Sequence, residues 1–161
     1  MKIAVLEHFS SLPPGAPGAD LVVEGRAMRD AVVADFLCLP GITVVLVERR
    51  ALFREALRSA DAALIIAPEE DGTLAGLCRA VEREGRILLG PSSLAVRFLA
   101  DKLATARCLA AAGVSTPRTE TVPFASARRR LLAMALPLVV KPRDGCGGRG
   151  VTVGRRTRPA A

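Results

Sequence analysis

The densest chemistry in this chain lies in LPLVVKPRDGCGGRGVTV, residues 136–153, where an apolar run leads into Lys141 and then into Gly145, Gly147, Gly148 and Gly150. Glycines let backbone N–H groups approach phosphate oxygens closely, and a neighbouring lysine adds a point charge for them. The bland alternative is a lysine that merely ends a strand beside a turn. Arg143 and Arg149 border the glycines and either touch phosphate or only flank it. Cys146, inside the same loop, reads as a small residue tolerated there.

Gly145, Gly147 and Gly150 spell G-x-G-x-x-G, a pattern used by several phosphate-handling folds, and order along the chain separates them. A Rossmann fingerprint needs a helix after the glycines and an acidic residue about 20 positions later. Here the β-branched VTV follows instead. A Walker A loop ends in Gly-Lys-Ser/Thr, a tripeptide this sequence lacks. In protein kinases the glycine loop comes before the lysine strand. Here Lys141 comes first.

The elements that must position such a site alternate along the chain. KIAVLE (2–7), ITVVLVE (42–48), AALIIAP (62–68) and RILLG (86–90) are short, rich in Val and Ile, and read as buried parallel strands. Helical patterns fill 22–38, 51–60 and 72–84, the last with Leu74, Leu77, Cys78 and Val81 at core-facing spacing. The reading is α/β, a Rossmann-like open parallel sheet over residues 1–91. Ligands of such sheets gather at the carboxyl ends of strands. Glu7, His8 and the run Glu69, Glu70, Asp71 fall at such ends. The acids could equally open a helix, where carboxylates favour the macrodipole.

Residues 92–161 begin a second region. Ser92 or Ser93 caps one helix, and Asp101 caps another, KLATARCLAAAG, which ends at Gly113 as its C′ residue. The N-cap role accounts for Asp101 without a catalytic one. VSTPRTETV reads as an extended edge segment, FASARRRLLAMAL as a helix, and PLVVKP and VTVGR as strands on either side of the glycine loop.

Charge divides unevenly between the regions. Residues 1–100 hold 11 basic and 13 acidic residues, whereas 101–161 hold 12 and 3, so the chain's +7 comes from its second part. A basic segment around a glycine loop suits a polyanion. Nucleic acid ranks last among such ligands, because Phe124 is the only aromatic residue in that part. Arg128–Arg130 and the tail RRTRPAA read as solvated charge. No apolar run nears the roughly 18–20 residues needed to span a bilayer, and the start MKIAVLEHF is too short for a secretory segment, so the expectation is a cytoplasmic protein without membrane contact. Cys38, Cys78, Cys108 and Cys146 are scattered and have only His8 to help, which argues against zinc and for reduced thiols.

Strand lysine first and glycine hairpin second resembles the ATP-grasp family. The likeness extends back through GPSSLAVRFLADKLATARCLAAAGVSTPRT, with its Gly-Pro-Ser, its Asp101–Lys102 pair followed by Thr105, and its Gly-Val-x-Thr-Pro. The resemblance implies that Lys102 and Lys141 bind ATP phosphates, with Gly145, Gly147, Gly148 and Gly150 in the flap over them. It implies a pre-ATP-grasp domain at 1–91 and the N-terminal part of an incomplete α+β ATP-grasp domain at 92–161. It also implies ATP with Mg²⁺ and a carboxylate–amine ligase acting through an acyl phosphate, its substrates a small carboxylate and a small amine. The family's adenine-hinge acids and Glu-x-Asn metal cluster find no match after Gly154. The expectation is therefore a truncated or split ligase, inactive alone, paired with a C-terminal half or another copy of itself. The alternative is a non-catalytic nucleotide-binding or partner module of such a ligase. A narrower likeness, in LEHFSS, EGRAMRDAVVADF, IIAPEEDGTLAGLCRAVE and RDGCGGRGV, is to the tyramine–glutamate ligases of methanofuran and methylofuran biosynthesis. It implies substrate contacts at Glu69 and Glu7.

Overall fold

The computed structural model of the chain describes residues 1–145 and 147–154. The readings of Cys146 and of the basic tail at 155–161 lie outside the described residues. The chain divides into two compact units, Met1–Arg97 and Phe98–Ala161.

The first unit is built on four strands, β1 (Lys2–Glu7), β2 (Thr43–Leu46), β3 (Ala62–Ile66) and β4 (Ile87–Leu88). All pair in parallel, in the order β2-β1-β3-β4. Central β1 sets Ile3 against Val44 on one side and Ala62 on the other. Because successive side chains of a strand alternate, β1 feeds two cores. Ala4 and Leu6 join Val47, Phe53, Leu57, Ala63, Leu77 and Val81 on one face. Ile3 and Val5 join Ala62, Val33 and Phe36 on the other. Each fully buried side chain such as Leu57 contributes roughly 1.5–3 kcal/mol. Helix α1 (Val22–Leu37) covers the second face, while α2 (Phe53–Ser59) and α3 (Thr73–Arg83) cover the first. This is the doubly wound α/β sheet that the apolar runs predict, with the strand order reversing between β1 and β3.

The runs are trimmed rather than misplaced. The helix expected at 51–60 starts as a 3-10 turn over Arg50–Leu52 before α2. Helix α4 (Ser93–Ala100) buries Val96 against Ala75 and Cys78, and Ser93 donates its N–H and hydroxyl to Glu82 at 2.7 and 2.6 Å. That packing joins α4 to the first compact unit, Met1–Arg97. Ser92 is the capping serine, accepting from the Ala95 N–H at 3.2 Å.

The second unit opens with α5 (Lys102–Ala111). Its end is a Schellman turn, with Gly113 at φ 77°, its N–H on the Ala110 carbonyl at 3.0 Å, and the Val114 N–H on Leu109 at 2.9 Å. The segment after it was expected to be an extended edge, but 114–123 pairs with no strand among the described residues. A 3-10 turn (Phe124–Ser126) leads into a short α6 (Ala127–Leu132). β5 (Leu138–Val140) and β6 (Thr152–Gly154) form an antiparallel hairpin, with Leu138 opposite Gly154 and Val140 opposite Thr152. Val139, Val140, Val151 and Val153 of this hairpin are exposed.

No helix among the described residues is long and apolar enough to cross a membrane.

Candidate functional site

The glycine loop joins β5 to β6. Lys141 follows β5 directly, is exposed, and makes no side-chain hydrogen bond or ion pair among the described residues. Gly145, Gly147, Gly148 and Gly150 all have φ between 66° and 96°, the left-handed region that only glycine enters without strain. A Cβ on Gly147 or Gly148 would meet nothing within 4 Å, so these positions leave open space above the backbone.

Lys102, on the first turn of α5, reaches this loop. Its Nζ donates to the Gly145 carbonyl at 2.7 Å, and its backbone N–H donates to the Arg143 carbonyl at 3.0 Å. Asp101 is the N-cap expected from sequence, with Oδ1 accepting from the Leu103 and Ala104 N–H groups at 3.0 and 3.1 Å. It also does something that local reading missed. Arg143 brackets its carboxylate, Nε lying 2.9 and 3.0 Å from the two oxygens and Nη2 2.5 Å from Oδ2. This hydrogen-bonded guanidinium, aided by the backbone N–H groups, holds Asp101 far below the usual carboxylate range, and Asp101 raises Arg143 in turn. Arg143 is thus committed to a carboxylate, and Arg149 is exposed. The only signal for the pair in the sequence is opposite charge, which specifies no partner. Thr105, the third polar residue of the lead-in, donates its hydroxyl to the Leu99 carbonyl at 3.1 Å.

In the first unit, Glu7 and Glu69 lie at the carboxyl ends of the neighbouring strands β1 and β3. Glu69 is exposed. Glu7 is turned inward, only 1% exposed, and accepts from the Phe9 and Ser10 N–H groups at 3.0 and 2.6 Å. It organises the turn that leaves β1. Gly25 of α1 lies so close that a Cβ there would come within 2.5 Å of the Glu7 carboxylate. His8 donates its backbone N–H to the Ile66 carbonyl and accepts from Arg50 at Nδ1, 2.8 Å away. Burial, then the charge of Arg50, lowers the His8 pKa against a weaker opposing pull from Glu7.

Family comparison agrees with both units. Residues 36–96 match the model of a pre ATP-grasp 3 domain, and residues 99–161 match the model of an ATP-grasp domain. A crystal structure of an ATP-grasp superfamily protein from Archaeoglobus fulgidus superposes over 97% of this chain with a TM-score of 0.66 and 25% identity. The chain belongs to the ATP-grasp superfamily. The fold is shared as well by VanG D-Ala:D-Ser ligase from Enterococcus faecalis, at TM-score 0.66 and 16% identity over 97% of the chain. Cyanophycin synthetase from Trichormus variabilis (strain ATCC 29413 / PCC 7937) is 39% identical over 66 residues, 40% of this chain. This ATP-grasp chain spans 49% and 56% of the two structural relatives and 7% of the cyanophycin synthetase. Among the described residues, no group of three or more His, Cys, Asp or Glu is arranged to hold a metal ion.

Proposed function

We propose that this chain contributes the phosphate-holding residues of an ATP-dependent carboxylate–amine ligase. The observation that supports this most is the 2.7 Å hydrogen bond from Lys102 to Gly145, which ties the lysine of the Asp-Lys pair to the glycine loop that follows Lys141. Names carried by relatives, a D-Ala:D-Ser ligase and a cyanophycin synthetase, support the same class of reaction. In this reading residues 1–91 are the pre-ATP-grasp domain and 92–161 the start of the ATP-grasp domain.

The reaction would run in two displacements. A substrate carboxylate oxygen attacks the γ-phosphorus of ATP, and the bond to the bridging oxygen breaks to release ADP. An amine then attacks the carbonyl carbon of the acyl phosphate, the carbon–oxygen bond breaks, and inorganic phosphate leaves as the nitrogen loses its proton. Lys102 and Lys141 would offset the negative charge on the phosphates, and the N–H groups of the glycine loop would hold their oxygens while water is excluded. Mg²⁺ would neutralise phosphate charge in such a reaction, but the described residues do not fit a magnesium site, so none is assigned to them. The narrower likeness to tyramine–glutamate ligases, which makes Glu69 and Glu7 candidate substrate contacts, rests on the sequence stretches alone.

Isotope transfer tests the mechanism. In a complete ligase that contains this chain, a substrate carboxylate labelled by oxygen-18 should deliver one label to inorganic phosphate by the acyl-phosphate route. Phosphate free of label during amide formation would overturn it.

A further inference from the structure

The structure holds a second group of donors, on the first unit, that the phosphate chemistry does not use. His8 follows β1 where the strand order reverses between β1 and β3, and Arg50 follows β2 on the adjoining side. In open parallel sheets this reversal opens the crevice in which ligands bind. Arg50 can only donate, so the 2.8 Å bond from its Nη1 makes His8 Nδ1 an acceptor. The imidazole is therefore neutral and carries its proton on Nε2. The lowered pKa of His8 agrees with that state.

The pair consequently presents only donors, the imidazole Nε2–H and the remaining guanidinium N–H groups. Arg50 is also in no ion pair among the described residues. Glu7, the acid nearest in sequence to His8, is turned inward onto the N–H groups of Phe9 and Ser10. Arg29, the other guanidinium near this turn, is spoken for by Asp30 at 2.7 Å and adds only a 3.5 Å approach to the Ser10 hydroxyl. Both His8 and Arg50 remain partly accessible.

We propose that His8 and Arg50 form a binding site for the carboxylate of a small molecule at the carboxyl edge of the sheet. A guanidinium fork matches a planar carboxylate with two parallel hydrogen bonds, and a neutral Nε2–H adds a third donor without adding charge. Arg50 brings a single guanidinium charge to the pair, which suits a carboxylate monoanion better than a phosphate dianion. Nδ1 cannot contact the ligand, because Arg50 occupies it. The site lies wholly within the first unit and does not depend on the nucleotide reading.

His8 is the only histidine of the chain, so its ring nitrogens give a single, unambiguous NMR signal set. The test is a nitrogen-15 imidazole spectrum of the untagged protein, at a pH where the ring is neutral. It is titrated at constant ionic strength with sodium succinate, sodium glutamate, sodium phosphate, sodium chloride and a non-hydrolysable ATP analogue. The expected result is a saturable Nε2 shift with the carboxylates, and a response at least about tenfold weaker in affinity for Arg50→Lys, which keeps charge but loses the fork. Arg50→Gln should abolish it. The proposal is overturned if no carboxylate gives a saturable shift, if chloride or phosphate acts as well as the carboxylates, or if either variant binds them unchanged. A His8 response to the ATP analogue alone would also overturn it, whereas failure of nucleotide to bind anywhere leaves the carboxylate titration readable.

Discussion

Lys102 places its ammonium 2.7 Å from the carbonyl of Gly145, a residue 43 positions further along the chain. The adjacent Asp101 is bracketed by Arg143, and the Lys102 backbone N–H is held by the Arg143 carbonyl. The first turn of α5 and the segment after Lys141 are therefore joined by a side chain, a backbone group and an ion pair.

Asp101 carries two duties, and substitution separates them. Asparagine keeps an N-cap oxygen but loses the charge opposite Arg143, whereas alanine loses both. Thermal melts should rank wild type above Asp101→Asn, and Asp101→Asn above Asp101→Ala. The folded-state pKa of Asp101 lies below its unfolded value, so its contribution is fully present above the ordinary Asp range near 4 and fades as the pH falls below it. The gap between wild type and Asp101→Asn should shrink on acidification; a gap that grows would contradict the ion pair.

Gly25 should tolerate no side chain while Glu7 is present. Gly25→Ala drives a methyl group against the buried carboxylate and should cost about 1–3 kcal/mol in urea unfolding. In a Glu7→Ala background the same change should cost much less. Additive losses would show that the close approach to Glu7 is not the cause.

Gly147 and Gly148 should behave in the opposite way. A β-branched residue is strained at their φ of 66° and 71°, yet it would meet no neighbour within 4 Å. Gly147→Val or Gly148→Val should therefore weaken nucleotide binding by blocking backbone approach to phosphate, with little change in melting temperature. A large stability loss with intact nucleotide binding would make the loop structural.

Hydrogen exchange should distinguish the two sheets. The β1–β3 ladder is buried on both faces, while the β5–β6 hairpin is two-stranded and exposes Val139 and Val153. An isolated hairpin is marginal in water. Amides of 62–66 should exchange far more slowly than those of 138–140 and 152–154; equal protection would contradict this ranking.

What could be read from sequence was local. The Val- and Ile-rich runs at 2–7 and 62–68 contain β1 and β3, since burial on both faces leaves a continuous apolar signal. Asp101 before a helix and Gly113 after it were legible because caps are satisfied within one turn. The pairs Asp101–Arg143 and His8–Arg50 each join residues 42 positions apart, and no period or turn signal encodes such a partnership. The inward turn of Glu7 was hidden for a related reason: it depends on Gly25 letting α1 approach. The extended segment expected at 114–122 had suitable residues but no described strand to pair with, and pairing is what makes a strand.

The central claim is that Lys141, at the end of β5 and ahead of the glycine loop, holds nucleotide phosphate. Calorimetric titration of the purified protein with ATP, alongside thermal melts, tests it most directly. Lys141→Met keeps the apolar stem and removes the charge, so affinity should fall by roughly 1.5–3 kcal/mol, about 10- to 150-fold, while the melting temperature holds. Unchanged affinity with a lowered melting temperature would make Lys141 a structural residue and contradict the account.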